Sequence, residues 1–547
     1  MPVEGELVCP PGLGSEKRPR APRSHDQQEL EYQFTSTSLS AAEQWLREQH
    51  PRFGFDLEAA GNRKLEDTYL DTPDWRVFRA GYKLRLRRTG DRCEVTFKSL
   101  TCPRARSLKD RREVTQVVCR PDLGSLRTAR GTAADWLRSL LGKTRPDPLF
   151  RLTTLRTVYY LKRRGERIAE IDLDECQITA GTEGTGQPAK LHFVELESPD
   201  ARTREVQRFI RAMARECALR PSRQSKFGEG LSASRLKPVA SPPLPPAMVP
   251  VGAEVGTFAH SIFRYELAQI LGHEAGARMG VEAEELHQMR VATRRLRAAL
   301  RLLRDFLPRS LLRCEDSLKW LASVLGAVRD LDVKLAQVHA WRDESGPGDQ
   351  LGFDAILKRV SSQRAHARHG MLKALESRRY AGLIRRLEEY LNRGPAGAGS
   401  AKAASLEILP QLIRPVHRAV LKAGRRLRGE PTPEGYHRLR VRCKRLRYSL
   451  EFAARLGGRS LEGPRKRLIA LQDLLGELND TVVARANIRM WIEETGALLP
   501  PPVLFLLGKL EERLRNRGDA CLRTFPECFR AFNKKPWRAL EKTLRQA

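Results

Sequence analysis

Two segments in the C-terminal half of the chain repeat at one offset, which limits the folds open to that half. HQMRVATRRLR (287–297) is identical to HRLRVRCKRLR (437–447) at 6 of 11 positions. LASVLGAVRDLDV (321–333) matches LQDLLGELNDTVV (471–483) at 5 of 13 positions. Both pairs are separated by 150 residues, far more than the period of a solenoid. We therefore interpret this half as two similar helical bundles that arose by duplication.

The N-terminal half has a different periodicity. Eight segments alternate apolar and polar residues and predict strands, near 28–34, 65–71, 81–88, 92–98, 111–118, 154–162, 167–173 and 190–197. Eight antiparallel strands are enough to close a barrel. The helical half follows a proline-rich segment and is interrupted by GPAGAGSAKAAS (394–405). We expect a disordered N-terminus (1–26), a strand domain (27–235), a semi-rigid linker (236–255) and a helical domain (256–547), with halves of about 256–393 and 406–547.

The charge and the cysteine content restrict partners and location. The 547 residues include 99 Lys and Arg against 66 Asp and Glu, a net charge of +33, which predicts polyanionic partners. No run of 18 apolar residues occurs, so we expect no membrane span. The N-terminus has no apolar signal core, and the ten cysteines form no CxxC pair. These features predict a cytoplasmic protein with reduced thiols and argue against a disulfide framework or zinc site.

Charged side chains share one face of most predicted strands. In an ordinary antiparallel sheet that face is solvated, and this alternative applies to each strand taken alone. Taken together, carboxylates lie on the first and last strands and cations on the middle strands. If this face turned inward, a carboxylate wall suited to Mg²⁺ or Mn²⁺ would oppose a wall that can hold phosphate oxygens. That combination suits a metal-bound oligophosphate.

The strand half contains an ordered series of motifs. ELEYQ (29–33) fills four of the five positions of ExExK, and the series continues through YLDTPD (69–74), LRLRR (84–88), TFK (96–98), RRE (111–113), EIDLD (170–174), ELE (195–197) and SK (225–226). Over about 200 residues these motifs resemble the CYTH domain, or triphosphate tunnel metalloenzyme family. The resemblance implies an α+β domain built on an eight-stranded antiparallel tunnel that cleaves linear triphosphates or cyclises nucleotides.

The same resemblance implies specific site residues. The implied ligands of Mg²⁺ or Mn²⁺ are Glu29, Glu31, Glu195 and Glu197, assisted by Asp172 or Asp174, with Glu113 as a weaker candidate. The implied phosphate-binding residues, which form the catalytic set together with Glu29 and Glu31, are Arg85, Arg87, Lys98, Arg156 and Lys226. Gln33 departs from the family, which has lysine there; an amide donates hydrogen bonds but carries no charge. The departure leaves both a weakened triphosphatase and an inactive tunnel open.

A basic stripe occurs in both helical repeats. Three- and four-residue spacing aligns His287, Arg290, Arg294, Arg297 and Arg301 in the first repeat, and His437, Arg440, Lys444 and Arg447 in the second. A solvated basic face is the simpler alternative for either stripe alone. Like charges one turn apart repel each other, however, so something should compensate the repulsion. The aspartates of RDLD (329–332) and ND (479–480) are expected to brace arginines rather than to bind metal.

The repeated segments are similar to the CHAD domain over about residues 255–540. That resemblance implies an all-α domain of two pseudo-symmetric four-helix bundles with a basic central cavity. It also implies that the two basic stripes bind inorganic polyphosphate. Aromatic residues make up 6% of the chain and do not interleave the stripes, which argues against single-stranded nucleic acid.

Three functions remain open from the sequence. The first is a metal-dependent hydrolase of tripolyphosphate or a related phosphoanhydride, to which the helical half recruits inorganic polyphosphate. The second is a non-catalytic module that binds polyphosphate or targets the protein to it, with a degenerate tunnel. The third is nucleic-acid or ribosome binding through bulk charge. A polyphosphate-binding role would associate the protein with polyphosphate granules in the cytoplasm.

Overall fold

The computed structural model describes residues 25–100, 108–118, 130–180, 189–199, 203–239, 244–246, 248–250, 252–344, 350–395, 399–456, 461–495 and 499–533. The predicted disordered N-terminus lies outside these residues, except that the first strand begins at His25. The side chains of residues 25–30, including Glu29, also lie outside the description. The chain divides into two compact units, residues 1–238 and 239–547, and each is described by itself.

Unit 1 is a closed antiparallel barrel. Its strands are β1 (His25–Thr35), β2 (Asp56–Asp71), β3 (Tyr82–Thr89), β4 (Arg92–Ser99), β5 (Leu108–Val118), β6 (Asp147–Arg163), β7 (Glu166–Ala180), β8 (Ala189–Glu197) and β9 (Arg220–Pro221). The first eight pair in the order β5-β4-β3-β2-β6-β7-β8-β1, and the pairing of β1 with β5 closes the barrel. The predicted count of eight is one too low, because β9 adds a two-residue strand to the edge of β1.

The helices of unit 1 decide which face of the barrel points inward. They are α1 (Leu39–Gln49), α2 (Arg76–Arg79), α3 (Thr132–Leu141), α4 (Arg204–Glu216) and α5 (Lys226–Ala233). Apolar side chains of β1, β6, β7 and β8 form one core with α1 and α4, in which Trp45 meets Phe209 edge-on with ring centroids 5.3 Å apart. Because the apolar face of these strands is covered by helices, their charged face lines the barrel interior.

Unit 2 is helical. Its helices are α6 (Val255–Met279), α7 (Ala283–Leu302), α8 (Arg309–Leu312), α9 (Glu315–Asp343), α10 (Gln350–Leu375), α11 (Arg378–Asn392), α12 (Ser405–Gly429), α13 (Pro433–Ala453), α14 (Glu462–Thr495) and α15 (Pro501–Asn533). Helices α6, α7, α9 and α10 correspond to α12, α13, α14 and α15 at an offset close to 150 residues. None of the described helices is long and apolar enough to cross a membrane.

The two four-helix sets are related by an approximate twofold. The N–H of Val255 donates to the carbonyl of Ala403 at 2.9 Å, and the N–H of Ser405 donates to the carbonyl of Ala253 at 3.0 Å. These two bonds exchange under the 150-residue offset, as expected for a self-complementary contact. One continuous core joins both sets, and it includes Leu296 of α7 and its equivalent Leu446 of α13. The predicted pair of pseudo-symmetric bundles is confirmed, and the bundles share their core.

Candidate functional site

The barrel of unit 1 encloses a cavity of about 150 Å³ that is lined almost entirely by charged side chains. The lining residues are Glu31, Gln33, Tyr69, Lys83, Arg85, Arg87, Lys98, Glu113, Arg156, Glu195, Glu197 and Lys226. Strand register brings them together, since Glu31 pairs with Glu197 across β1 and β8, and Lys83 pairs with Lys98 across β3 and β4. The cavity thus has one acidic wall and one basic wall.

Gln33 and Glu195 form the centre of the acidic wall. They are register partners across β1 and β8, and the Gln33 amide donates a hydrogen bond to Oε1 of Glu195. Oε2 of Glu195 lies 2.8 Å from Nζ of Lys226 and 3.0 Å from a guanidinium nitrogen of Arg156. Burial alone would raise the pKa of Glu195, but Lys226 and Arg156 hold it well below its usual value. Glu195 therefore stays ionised inside the barrel.

Asp172 and Asp174 do not line the cavity. They form ion pairs with two cations that do line it, Arg156 and Lys226. Arg156 donates two bonds of 2.8 Å to Asp174, which is fully buried, and forms an ion pair with Asp172. Lys226 also donates to Asp174. Burial raises the pKa of Asp172 to about 7, and its Oδ1 atom is buried without a hydrogen-bond partner. Asp172 thus contacts Arg156, and Asp174 contacts Arg156 and Lys226, while their role as metal ligands stays a prediction.

The basic wall is braced in the same way. Arg87 donates bonds of 2.7 and 2.8 Å to the two carboxylate oxygens of Asp67. Arg85 lies 3.9 Å from Asp67 and 3.6 Å from Glu113. Lys98 lies 3.0 Å from Glu113, which places this glutamate among the cations rather than on the acidic wall. Burial would raise the pKa of Glu113, but the neighbouring cations lower it.

Sequence reasoning missed three residues of this site. Lys83 lines the cavity, and its signal was its place on the same strand face as Arg85 and Arg87. Tyr69 also lines the cavity, and Asp67 is 2% exposed beneath the basic wall. Asp67 and Tyr69 share one face of β2 with Leu65, so an acidic residue between two largely apolar ones was the available signal.

The acidic wall suits a divalent cation in its chemistry. Glu31, Glu195 and Glu197 line one wall with carboxylate oxygens, the atoms that Mg²⁺ and Mn²⁺ prefer. The unpartnered Oδ1 of Asp172 adds an oxygen close behind them. Among the described side chains, no three acidic, histidine or cysteine residues are already gathered closely enough to hold a metal. The carboxylate oxygens are therefore of the type that such an ion prefers. To bind the ion through Oε2, Glu195 would have to release Lys226 or Arg156.

The basic stripes of unit 2 meet where α7 packs against α13. Arg290 lies 3.5 Å from Asp330, and the equivalent Arg440 lies 4.0 Å from Asp480, which confirms that these aspartates brace arginines. The Nε atoms of Arg290 and Arg440 are buried without a hydrogen-bond partner. A Cβ added to Gly326 or Gly476 would lie within 4 Å of these nitrogens, so both glycines admit a guanidinium group against the helix backbone.

Six of the nine predicted polyphosphate-binding residues line one cavity of about 600 Å³: Arg294, Arg297, Arg301, His437, Arg440 and Lys444. Burial and then Arg440 and Arg294 lower the pKa of Lys444 to about 7. The other three lie elsewhere. They are His287, Arg290 and Arg447. Burial lowers the pKa of His287, and the nearby positive charge of Arg329 lowers it further. Arg447 forms an ion pair of 2.7 Å with Glu451.

Comparisons with known proteins agree with both units. The CYTH domain family matches residues 29–229, and the CHAD domain family matches residues 261–489. Two uncharacterized proteins from strains of Mycobacterium tuberculosis are 26% identical over 459 residues, covering 79% of this chain and 83% of each relative. The CHAD domain from the plant Ricinus communis is 25% identical over 56% of this chain and 98% of that chain, with a TM-score of 0.40. PptA from Streptomyces chartreusis is 16% identical over 51% of this chain and 100% of that chain, with a TM-score of 0.43. The chain therefore contains a CYTH domain followed by a CHAD domain.

Proposed function

We propose that the protein binds inorganic polyphosphate through its CHAD domain and hydrolyses short linear phosphoanhydrides, such as tripolyphosphate, in its CYTH barrel. The observation that carries the proposal is the barrel cavity, in which Glu31, Glu195 and Glu197 oppose Lys83, Arg85, Arg87 and Lys98. A phosphoanhydride with a divalent cation presents the complementary arrangement, since the metal needs carboxylates and the phosphates need cations. The barrel supplies both within one enclosed space.

In the barrel, the cationic side chains would bind the substrate and stabilise its charge. Arg85, Arg87 and Lys98 would bind the phosphate oxygens, and their present carboxylate partners hold them in place beforehand. Arg156, fixed by two bonds to Asp174, would stabilise charge that develops on the transferred phosphoryl group. A divalent cation on Glu31, Glu195 and Glu197 would supply Lewis-acid polarisation of that group.

A second function, binding without catalysis, is favoured by Gln33. Its amide donates one hydrogen bond to Glu195 and carries no charge for the phosphate. The two functions differ in one measurement: phosphate release from tripolyphosphate and from ATP with Mg²⁺ or Mn²⁺, compared with EDTA. Metal-dependent release that is lost in Glu195→Gln supports the hydrolase. No release, with binding of tripolyphosphate retained, supports the binding function.

The CHAD domain has its own test, which uses the full chain and long-chain polyphosphate. Reversing the charge of Arg294, Arg440 and Lys444 should abolish binding, because these groups line the cavity of about 600 Å³. A matched control reverses three exposed arginines that line no cavity identified in the described residues: Arg309, Arg393 and Arg418. Binding should also weaken steeply with salt. Equal loss in both variants, or equal competition by double-stranded DNA at the same phosphate concentration, would indicate bulk charge instead.

A further inference from the structure

The two helical repeats form two cavities that correspond residue by residue. Groove A is the cavity of about 600 Å³ between α7, α12 and α13, and groove B is a cavity of about 410 Å³ between α6, α7 and α13. Six of the seven residues that line groove B lie 150 positions from a residue that lines groove A. Three of these pairs are Arg295 with Arg445, Arg447 with Arg297, and Glu451 with Arg301. The duplication therefore produced two grooves at equivalent positions.

Groove B is closed by its own ion pairs. Oε2 of Glu451 accepts a bond of 2.7 Å from Arg295, and Oε1 accepts a bond of 2.7 Å from Arg447. Burial would raise the pKa of Glu451, but Arg295 and Arg447 keep it below its usual value, so the carboxylate stays charged. Glu451 thus engages two of the four arginines that line groove B, and a third, Arg455, donates to Glu266 at 2.6 Å.

Groove A carries arginine at all three equivalent positions. Arg301 binds Glu315 at 2.6 Å, whereas Arg297 and Arg445 make no ion pair within the described part of the chain. The Nε atoms of Arg297 in groove A and of Arg295 in groove B are both buried without a hydrogen-bond partner, so the grooves differ in their ion pairs and not in this feature. Groove A also includes Arg440 and Lys444, so its positive charge runs from Arg301 to the centre of the unit, with Asp305 as its one acidic lining residue among those described.

We propose that a linear phosphate chain binds the CHAD domain in groove A alone, and that Glu451 closes groove B. This inference rests on the proposed polyphosphate-binding function and adds the path of the chain. An anion in groove B would have to displace a buried carboxylate from two arginines, whereas an anion in groove A meets guanidinium groups that need a partner. One glutamate thereby turns a nearly symmetric unit into one with a single binding groove.

The inference is testable by exchanging the residues that distinguish the two grooves. In Arg301→Glu, the new carboxylate stands four residues after Arg297 and faces Arg445, the same relation that Glu451 has to Arg447 and Arg295. It should close groove A and weaken binding of long-chain polyphosphate to the full chain by about tenfold or more. The control Arg309→Glu makes the same charge change at an exposed residue outside both grooves and should alter binding by less than about threefold.

The decisive variant is the charge-neutral exchange Arg301→Glu with Glu451→Arg. It should restore binding and move it to groove B. Arginine labelling with phenylglyoxal, located by peptide mass spectrometry, reports the position. Polyphosphate should protect Arg297 and Arg445 in the wild type, and Arg295 and Arg447 in the exchanged protein. Thermal melts identify any variant that does not fold, and the exchanged protein then tests the inference without a change in net charge.

Several results would overturn the inference. Equal protection of all four arginines in the wild type would mean that both grooves are open. Wild-type binding by Arg301→Glu, while reversal of Arg440 and Lys444 abolishes binding, would refute the path past Arg301 in groove A but leave the polyphosphate function intact. Wild-type binding in both variants would mean that the polymer binds outside groove A, and a wild type that binds no long-chain polyphosphate would refute the polyphosphate function itself. Stronger protection of groove A by RNA than by polyphosphate at equal phosphate concentration would assign the groove to a different polymer.

Discussion

Replacing Gln33 with lysine tests whether the barrel is a catalyst that lacks one cation. Gln33 is 3% exposed, lines the cavity and donates to Oε1 of Glu195. In Gln33→Lys, an ammonium group would occupy this position and face Glu195 in the free protein. When a phosphoanhydride binds, the ammonium group can be shared between the carboxylate and a phosphate oxygen. The amide already donates to the Glu195 carboxylate but brings no positive charge to the phosphate, so the variant should bind and turn over the substrate better.

The magnitude follows from the charges that line the cavity. Six cations and four carboxylates line it among the described residues, and Asp67, Asp172 and Asp174 lie close behind them. The existing cations are largely neutralised, so one added cation changes the balance seen by a polyanion. A hydrogen bond to a charged group contributes about 1.5–3 kcal/mol. Because each ~1.4 kcal/mol is tenfold, tripolyphosphate hydrolysis should rise about ten- to a hundredfold if the bond forms in the transition state.

The assay is phosphate release from tripolyphosphate with Mg²⁺ or Mn²⁺, together with the Kd of tripolyphosphate. Gln33→Met is the matched control, because it removes the amide donor and adds no charge. The control should lose about 1–3 kcal/mol of stability, since Glu195 loses a buried donor, and should gain no activity. An equal gain in both variants would mean that release of Glu195, not charge, limits the wild type. If Gln33→Lys folds normally and changes neither quantity by more than about twofold, the reasoning is refuted.

Three further predictions concern the pH, the acidic wall and the helical packing. The affinity for long-chain polyphosphate should fall by up to about tenfold per pH unit above pH 7, because Lys444 loses its proton near that pH in the free protein, and Lys444→Met should remove this dependence in a binding titration. Glu31→Gln and Glu195→Gln should each lower metal-dependent phosphate release at least about tenfold, since each removes a charged cavity oxygen, whereas Glu48→Gln on the exposed surface of α1 should not. Gly424→Ala should destabilise unit 2 by about 1–3 kcal/mol in urea, because its Cβ would lie 2.0 Å from a phenylalanine ring. Gly508 is exposed, and a Cβ added there would meet nothing within 4 Å, so Gly508→Ala should stabilise unit 2 by about 0.5–1 kcal/mol. A loss of stability in this variant would contradict the packing argument.

Local patterns predicted much of the barrel site because strand alternation is short-range. Residues 29–33, 83–87 and 195–197 each place their charged side chains on one strand face, and the structure shows this face inside the barrel where side chains are described. The ends of the strands were less predictable. β2 begins at Asp56 and β6 at Asp147, both earlier than predicted, because the two strands pair along nearly their whole length and extend each other beyond their alternating segments.

Local sequence patterns did not predict which opposite charge each charged side chain pairs with. Asp172 and Asp174 have the spacing of cavity residues, yet they hold Arg156, which comes from the neighbouring strand in register. Arg447 continues the basic stripe of its helix by spacing, yet Glu451 binds it together with Arg295. In each case the residue type was predicted, and the choice among several nearby opposite charges depended on strand register or helix packing.

The sequence by itself determined the two-part organisation, the alternation that separates charged from apolar strand faces, and the duplication at 150 residues. These features depend on residues close together in the chain or on identical residues in the two repeats, so they can be recognised from the sequence. Only the tertiary structure decided that helices cover the apolar face of the barrel, that Gln33 binds Glu195, and that groove B is closed. The physical reason is that an ion pair or a buried face requires two segments at one place, and the segments concerned are as much as 162 residues apart.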